Sequence, residues 1–330
     1  MAKRAIITGV GHYAPPHIMT NHDIEKLVDT NDEWIVSRTG IRERRILDKE
    51  LGTSYMGVEA IKMLMKDKDL DPKDIDAIIV ATVTPDTIFP STSCRIQEAI
   101  GAVNAFGVDL NAACSGFVYA LMTGASYIET GRYKKVLVVG ADKMSSILNF
   151  KDRATCVLFG DGAGVVLLEP GDDPDSGVLD CVLRSDGSGK DCLYMEAGGS
   201  LHPASHETVD KEMHFIYQDG RTVFKFAVTR MADVSAEILE RNNISGSDLR
   251  YFIPHQANLR IIEAAAKRMK LEPEQVVVNI ERYGNTTAGT IPLALSEVYY
   301  SGGLKKGDLL VFSAFGAGFT WGSALVRWAI

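Results

Sequence analysis

The stretch AFGVDLNAACSGFVYAL, residues 105–121, changes from a strand pattern to a helix pattern around a single cysteine. The apolar run over 105–110 predicts a buried strand, and the residues from 115 to 121 predict a helix. Cys114 therefore stands at a helix start, where the helix dipole and unpaired N–H groups favour thiolate over thiol. Because its neighbours are small, we expect the sulfur to be approachable. The stretch predicts a candidate nucleophile within an α/β architecture.

A structural role is the alternative for Cys114, because free cysteine is often buried as a small hydrophobic side chain. The flanking residues alone leave the catalytic and the structural interpretations evenly matched. The other cysteines lack a comparable setting and are interpreted as structural: Cys94, Cys156, Cys181 and Cys192.

Apolar strand patterns alternate with helical patterns along the chain, which is typical of α/β proteins with covered sheets. Strands are predicted at 4–8, 75–81, 105–110, 135–140, 163–168, 250–253, 308–314 and in the C-terminal stretch through Trp328. Helices are predicted at 54–66, 91–100, 115–130, 223–241, 258–270 and 290–300.

The order of these elements indicates an internal duplication. Residues 131–140 and 303–312 are weakly alike, and each segment follows a helix that is preceded by a junction bearing Gly and Asn. A polar Gly/Pro run at 171–177 has the composition of an interdomain connection. We therefore predict two similar halves, residues 1–174 and 175–330, whose strand-to-helix junctions meet at a shared cleft.

Composition argues against several functional classes. The 330 residues are 46% hydrophobic, and the net charge of -8 with a pI near 5.4 argues against a nucleic-acid binder. Five cysteines without regular spacing favour a reducing compartment over a disulfide scaffold. No apolar run of about twenty residues and no cleavage signal is evident, so we expect a cytoplasmic protein without membrane attachment.

Three segments look like cofactor or metal sites but lack a required feature. Residues 9–14, GVGHYA, follow a predicted strand, yet two prolines stand where the helix of a dinucleotide site would begin. Residues 159–164, FGDGAG, run into a strand and lack a Lys-Ser/Thr end, so we predict a tight turn. The third segment is a Gly/Pro loop in which we predict no metal, although it holds His202, His206, Glu207 and His214.

His255 and Asn285 also stand at predicted element boundaries, one after a strand and the other just before a helix. Each residue alone is more often structural, as a satisfied histidine or as a turn and capping residue. Their comparable places in the two predicted halves favour one shared site with Cys114.

The helix after Asn258 carries basic residues, which are either solvated surface charge or a docking patch for an acidic partner.

Three motifs carry a resemblance to a known family: DLNAACSGF at 109–117, PHQAN at 254–258 and YGNTTA at 283–288. In this order they closely resemble beta-ketoacyl-acyl-carrier-protein synthase III, the initiating condensing enzyme of type II fatty acid synthesis. The similarity extends from DEWIVSRTGI at 32–41 to FGAGFTWG at 315–322 and so covers nearly the whole chain. It implies the thiolase-like fold, two similar α/β halves in an αβαβα arrangement.

The resemblance implies a catalytic triad of Cys114, His255 and Asn285. Cys114 would take the acyl group of a short acyl-coenzyme A, with acetyl as the expected primer, while the N–H groups of Cys114 and Ala317 stabilise the oxyanion. Malonyl-acyl-carrier protein would then lose carbon dioxide, and neutral His255 and the Asn285 amide would donate to the enolate oxygen. Attack on acyl-Cys114 would give a 3-oxoacyl product. Coenzyme A thioester enters as substrate, and no permanently bound cofactor is expected.

Substrate contacts are also implied by the resemblance. Trp34 and Arg153 would sandwich the adenine, and Arg38 would meet a coenzyme A phosphate. Asn258 and Gly220 would line the pantetheine tunnel.

The resemblance further implies two protein interfaces. Phe89 would cross the interface of a homodimer and shape the acyl pocket of the partner. The acidic carrier protein would dock on a surface made of Gln256, Ala257, Asn258, Leu259, Arg260, Lys225, Lys267 and Arg268.

Other members of the wider superfamily differ at identifiable positions. A thiolase has a second cysteine near its C-terminus, whereas no cysteine follows Cys192 here. Elongating synthases have His in place of Asn285, and hydroxymethylglutaryl-coenzyme A synthases use a Glu that residues 82–85 lack. Ala317 stands where Gly is common, but it keeps its N–H.

A papain-like hydrolase, a non-catalytic scaffold and a condensing enzyme for specialised polyketide or quinolone starters remain as alternatives, and primer length stays open.

Overall fold

The computed structural model describes residues 3–330, in which strands and helices alternate as the sequence predicts. The strands are β1 (Arg4–Tyr13), β2 (His17–Thr20), β3 (Glu43–Ile46), β4 (Ala77–Ala81), β5 (Phe106–Leu110), β6 (Val136–Lys143), β7 (Asp161–Gly171), β8 (Gly177–Ser185), β9 (Leu193–Met195), β10 (Ile216–Gln218), β11 (Tyr251–Pro254), β12 (Leu309–Gly316) and β13 (Thr320–Arg327). The α-helices are α1 (Asn21–Ile24), α2 (Asp32–Thr39), α3 (Thr53–Lys68), α4 (Thr92–Ile100), α5 (Gly116–Glu129), α6 (Arg153–Cys156), α7 (His206–Asp210), α8 (Gly220–Arg241), α9 (Leu259–Met269), α10 (Ile280–Tyr283) and α11 (Thr290–Tyr300).

Two main sheets organise the chain. The first has the strand order β1-β7-β6-β4-β5, in which β4 pairs in parallel with β5 and β6 while β7 is antiparallel to β1 and β6. The second has the order β11-β12-β13-β8, with β11 and β12 parallel and the other two pairings antiparallel. The strands of the first sheet come from residues 4–171 and those of the second from 177–327. The predicted division between 174 and 175 falls in the connection between them and stays a prediction.

Helices α5 and α11 form a central layer between the two sheets. One core cluster joins Phe117 of α5 and Leu295 of α11 to Ile79 of the first sheet and Phe312 of the second. A second cluster packs α8 and α9 against the second sheet, and a third packs α3 and α4 against the first. The five layers confirm the predicted αβαβα arrangement. Because α5 begins directly after the β5 turn, this layering places Cys114 at the junction between the sheets.

Two glycine-rich predictions were wrong in detail. Residues 9–13 belong to β1 rather than following a strand, and residues 161–164 begin β7 rather than forming a turn. A Cβ on Gly11 would lie 2.3 Å from the carbonyl oxygen of Ala60 in α3, and one on Gly164 would lie 2.5 Å from the Leu293 amide in α11. These glycines therefore let helices cross the first sheet closely.

Strand β8 was not predicted, because polar residues interrupt its apolar pattern. It is the edge strand of the second sheet, and it mixes buried positions such as Val178 and Val182 with partly buried and exposed ones. Asp180 forms an ion pair with Arg241, the last residue of α8. Arg184 forms an ion pair with Glu237, which lies one turn earlier in the same helix. The polar side chains of β8 therefore pair with a neighbouring helix, and they do not indicate a loop.

The segment 196–214 makes ordinary polar contacts, and it is not wholly a loop as predicted, because His206 and Glu207 begin α7. His214 Nε2 lies 2.9 Å from Thr208 Oγ1, and His202 lies 4.0 Å from Glu196. Across residues 3–330, no three His, Cys, Asp or Glu side chains are grouped so that they could hold a metal ion. No helix in that range has the length and apolar character needed to cross a membrane.

Candidate active site

Cys114 lies in a tight turn between β5 and α5. A 3₁₀ turn covers Ala113–Ser115, and α5 begins at Gly116. Ala113 has φ of 47°, a left-handed conformation that is strained for a residue with a side chain. The turn therefore holds the residue before the cysteine in an unfavourable conformation, which the surrounding contacts must maintain.

The turn that holds Cys114 is fastened to the connection between β12 and β13. The Ser115 hydroxyl donates to the Thr320 carbonyl at 3.0 Å, and the Thr320 hydroxyl donates to the Ala112 carbonyl at 2.9 Å. A Cβ on Gly316 would lie only 2.8 Å from the Cys114 amide nitrogen. Ser115 and Thr320 were not identified as site residues from the sequence, although both lie inside the quoted motifs.

One cavity of about 500 Å³ brings the predicted catalytic residues together. Cys114, His255 and Asn285 all line it. They come from the β5–α5 turn, the end of β11 and the loop before α11, so the fold joins three distant segments. The cavity lining is mostly apolar, and an apolar lining strengthens the electrostatic interactions made by the few polar groups within it.

Burial overrides the helix effect expected for the Cys114 thiol. The side chain is 6% exposed, and burial, followed by the negative charge of Asp142, raises the pKa of Cys114 to about 12. Its own backbone N–H acts in the opposite direction but is the smaller influence. The expectation of a resting thiolate is therefore corrected: Cys114 is a buried thiol that reaches the cavity.

His255 is held as a neutral imidazole. It is 1% exposed, and burial lowers the pKa of His255 to about 3. Its Nδ1 lies 2.7 Å from the Thr290 hydroxyl, whereas its Nε2 is buried and has no hydrogen-bond partner within residues 3–330. A neutral ring with one unpartnered nitrogen at a cavity can bind a substrate oxygen without the cost of a buried charge.

Asn285 has a defined amide orientation. Its Oδ1 accepts a hydrogen bond from the Thr287 amide at 2.8 Å. Because a backbone N–H can only donate, the oxygen must face Thr287, which leaves the NH₂ group as the remaining donor. The side chain lines the same cavity as Cys114 and so offers an N–H donor to a bound oxygen.

A second cavity of about 400 Å³ also reaches Cys114. Ala317 and Phe159 line it, and Phe159 borders the first cavity as well. Phe89 is 84% exposed and contributes to neither cavity of its own chain. Other apolar lining residues include Val83, Met144, Ile147, Leu193, Met195 and Ile216.

Most of the residues predicted to contact coenzyme A surround the mouth of the first cavity. Trp34, Arg38, Gly220 and Asn258 line it. Arg153 instead stacks directly on Trp34, with its guanidinium carbon 4.4 Å from the ring centroid. An adenine could enter between the two only if Arg153 moved away from the ring.

The predicted carrier-protein surface needs one correction. Gln256 is 1% exposed, and its amide bonds to the Pro254 and Val277 carbonyls and to the Asn279 amide. A side chain enclosed in this way has a structural role and cannot contact a docking protein. Ala257, Asn258 and Leu259 are partly buried, and the exposed basic members lie on the adjacent helices α8 and α9: Lys225, Arg260, Lys267 and Arg268.

Comparisons with known proteins identify the family of this chain. Two family models match it: 3-oxoacyl-[acyl-carrier-protein (ACP)] synthase III over residues 108–187, and the C-terminal model of that name over residues 239–328. A beta-ketoacyl-[acyl-carrier-protein] synthase III from Chlorobium chlorochromatii (strain CaD3) is 58% identical over 327 residues, covering 98% of this chain and 99% of the relative. The chain belongs to the beta-ketoacyl-[acyl-carrier-protein] synthase III family.

Solved structures agree with membership in the synthase III family. The 3-oxoacyl-[acyl-carrier-protein] synthase III from Aquifex aeolicus VF5 has a TM-score of 0.89 and 43% identity, covering 99% of this chain and 100% of that chain. The priming beta-ketosynthase from the R1128 polyketide biosynthetic pathway has a TM-score of 0.92 and 33% identity, covering 99% and 97%. As a member of this family, the chain is a condensing acyltransferase with the thiolase-like fold, and the hydrolase and scaffold alternatives are set aside.

We expect alkylation of Cys114 by iodoacetamide to accelerate steadily as the pH rises from about 6 to about 10. Below a pKa of about 12, the reactive thiolate fraction increases roughly tenfold for each pH unit. Peptide mass spectrometry separates this site from the exposed Cys94, and the Cys114→Ser variant identifies its signal. A rate that levels off near neutral pH would contradict the buried-thiol assignment.

We expect Gly316→Ala to slow acylation of Cys114 by roughly tenfold or more, because the added Cβ would displace the Cys114 amide. Intact-protein mass spectrometry after incubation with acyl-coenzyme A measures the rate. Gly187→Ala is the matched control, since a Cβ there meets no atom within 4 Å. Equal acylation rates in both variants, at equal thermal stability, would show that the close contact between Gly316 and the Cys114 amide is not needed for acylation.

Proposed function

We propose that this chain condenses a short acyl-coenzyme A with malonyl-acyl-carrier protein, giving 3-oxoacyl-acyl-carrier protein, coenzyme A and carbon dioxide. The observation that carries this proposal is the single cavity lined by Cys114, His255 and Asn285. A sulfur nucleophile, a neutral imidazole and an oriented amide are the groups that decarboxylative carbon–carbon bond formation needs. The family relationship supplies the substrate class.

In the first half-reaction, Cys114 Sγ attacks the thioester carbonyl carbon of the acyl-coenzyme A. The amides of Cys114 and Ala317 are proposed to hold the oxyanion, and the close fit of Gly316 supports this placement. The carbon–sulfur bond to coenzyme A then breaks. The thiol proton of Cys114 passes to the departing sulfur, so the products are acyl-Cys114 and coenzyme A thiol.

In the second half-reaction, malonyl-carrier protein loses carbon dioxide and the bonding electrons form an enolate. An Nε2–H of neutral His255 and the Asn285 amide are proposed to donate to its oxygen, which needs no charged base. The enolate carbon attacks the acyl-Cys114 carbonyl carbon and the carbon–sulfur bond breaks. The departing Cys114 thiolate takes up a proton from water, which restores the resting thiol. The low pKa of His255 supports a neutral donor at working pH.

Basic side chains near the first cavity are proposed to bind the negatively charged substrates as they enter. Coenzyme A would place its phosphates at Arg38 and its adenine between Trp34 and a displaced Arg153. The carrier protein would dock on Lys225, Arg260, Lys267 and Arg268, which are exposed on neighbouring helices, and Arg260 also lines the cavity mouth. An acidic partner suits this basic patch on a chain whose net charge is -8.

A homodimer is proposed to complete the acyl pocket. β5 is an edge strand of the first sheet, and the Phe106 and Val108 side chains are 39% and 38% exposed. Ile88 and Phe89 extend this apolar face with 79% and 84% exposure. An apolar edge strand is covered by pairing with a second copy, which supports the predicted transfer of Phe89 into the partner's pocket.

The location in the cell is proposed from the state of the cysteines, and the pathway is proposed from the relatives. All five cysteines are free, which supports the expected cytoplasmic location. Fatty acid initiation is favoured by the named relatives, whereas the polyketide priming enzyme among the similar structures keeps a specialised pathway as the alternative.

The second cavity favours primers longer than acetyl as a second candidate. At about 400 Å³ in the single chain and with a mostly apolar lining, it is larger than an acetyl group at Cys114 needs, and the partner's Phe89 would set how much of that space remains.

We expect His255→Ala and Asn285→Ala each to lower malonyl decarboxylation by about a hundredfold, while acylation of Cys114 is largely retained. Each variant removes an enolate donor but leaves the nucleophile and its oxyanion contacts in place. Release of labelled carbon dioxide from malonyl-carrier protein and acyl-adduct mass measure the two steps separately. Equal loss of both steps would contradict the assigned roles.

We expect the unmodified protein to form 3-oxo products from both acetyl- and octanoyl-coenzyme A when the primers compete for malonyl-carrier protein. Ile147→Trp should abolish the octanoyl product and spare the acetyl product, because Ile147 lines only the second of the two cavities at Cys114. Product masses measure the outcome. Formation of the acetyl product alone by the unmodified protein would restrict the primer to acetyl.

A further inference from the structure

Two threonine residues, Thr287 in the turn before α11 and Thr290 at the first position of α11, contact the proposed enolate donors from behind. Thr290 Oγ1 lies 2.7 Å from His255 Nδ1, and the Thr287 amide donates to Asn285 Oδ1 at 2.8 Å. The Thr290 hydroxyl also lies 3.0 Å from the Thr287 carbonyl. All four residues are buried, so water does not compete strongly for these contacts.

The position of one proton decides what His255 can do. A neutral imidazole carries one N–H, so Nε2 can donate to an enolate only when Nδ1 is an acceptor. Within residues 3–330, the Thr290 hydroxyl is the group within hydrogen-bonding distance that can donate to Nδ1. If that hydroxyl instead donated to the Thr287 carbonyl, Nδ1 would carry the proton and Nε2 could only accept.

The geometry favours donation from Thr290 to His255. The contact with Nδ1 is shorter than the contact with the Thr287 carbonyl, at 2.7 Å against 3.0 Å. We propose that Thr290 is a positioning residue that holds neutral His255 in its Nε2–H form. This inference rests on the proposed condensation, because that reaction requires His255 as a donor.

A buried carboxylate anchors the turn that leads into α11, whose first residue is Thr290. Asp142 of β6 is 0% exposed, and it accepts hydrogen bonds from the hydroxyl of Thr287 and from the Ala288 amide. Its other oxygen accepts from the Thr82 hydroxyl at 2.9 Å and from the Val83 amide at 2.8 Å. Asp142 thus ties the loop before α11 to the end of β4 in the first sheet.

This anchor matters because the loop has a strained backbone. Thr287 has φ of 49°, in the left-handed region that β-branched residues rarely adopt. The carboxylate contacts hold that conformation, which in turn presents the Thr287 amide to Asn285 and places Thr290 beside His255. The orientation of both donors therefore depends on one loop fixed by Asp142.

The test compares three variants in the separate half-reactions. Thr290→Val keeps the side-chain shape but removes the hydroxyl, and Thr290→Ser restores a hydroxyl. Thr286→Val is the matched control, because Thr286 Oγ1 is buried nearby and has no hydrogen-bond partner within residues 3–330. We expect Thr290→Val to lower kcat of condensation roughly tenfold, with unchanged KM for malonyl-carrier protein and unchanged acylation of Cys114.

Thr290→Ser and Thr286→Val should retain most of the condensation rate. Full activity in Thr290→Val, or an equal loss in Thr286→Val, would overturn the positioning role. If the unmodified protein forms no condensation product, the proposed function itself fails, so the two failures are distinguishable.

Nitrogen NMR of the unmodified protein tests the same inference without relying on a variant's folding. Histidine labelled with ¹⁵N distinguishes the Nε2–H form from the Nδ1–H form at neutral pH, and loss of the signal in His255→Ala assigns it. We expect the Nε2–H form in the native protein and a shift toward the other form in Thr290→Val. An Nδ1–H form in the native protein would overturn the proposal.

Discussion

The contact between Gly316 and the Cys114 amide is the constraint on which the site depends. A Cβ at position 316 would come within 2.8 Å of that nitrogen, so the end of β12 approaches Cys114 this closely only because the residue is glycine. Hydrogen bonds from the Ser115 hydroxyl to the Thr320 carbonyl and from the Thr320 hydroxyl to the Ala112 carbonyl hold the two segments together. Two segments some two hundred positions apart in sequence thereby form one wall of the cavity.

Burial at this junction sets the protonation states from which the chemistry starts. It raises the pKa of Cys114 to about 12 and lowers that of His255 to about 3, so a neutral thiol faces a neutral imidazole at physiological pH. A neutral pair avoids the large cost of burying charge in an apolar cavity. The Cys114 thiol must therefore lose its proton before the sulfur can attack, while neutral His255 is suited to hydrogen bonding rather than to proton abstraction.

Much of the fold was predictable because apolar periodicity is local. The α5 prediction of 115–130 compares with Gly116–Glu129, and α11 matches its predicted bounds of 290–300. β8 was missed because its polar residues contact α8, a partner that a local pattern cannot reveal. Gln256 was misassigned for a similar reason, since its burial depends on carbonyl groups from another segment.

The sequence by itself determined the alternating elements, the family motifs and the identities of Cys114, His255 and Asn285, because these depend on residue type and order. Only the tertiary structure decided that the three share a cavity and that the thiol is protonated. It also placed Thr290 beside His255 and Asp142 beside Thr287, whose amide contacts Asn285. Burial, charge proximity and close backbone approach arise between segments distant in sequence, so no local pattern contains them.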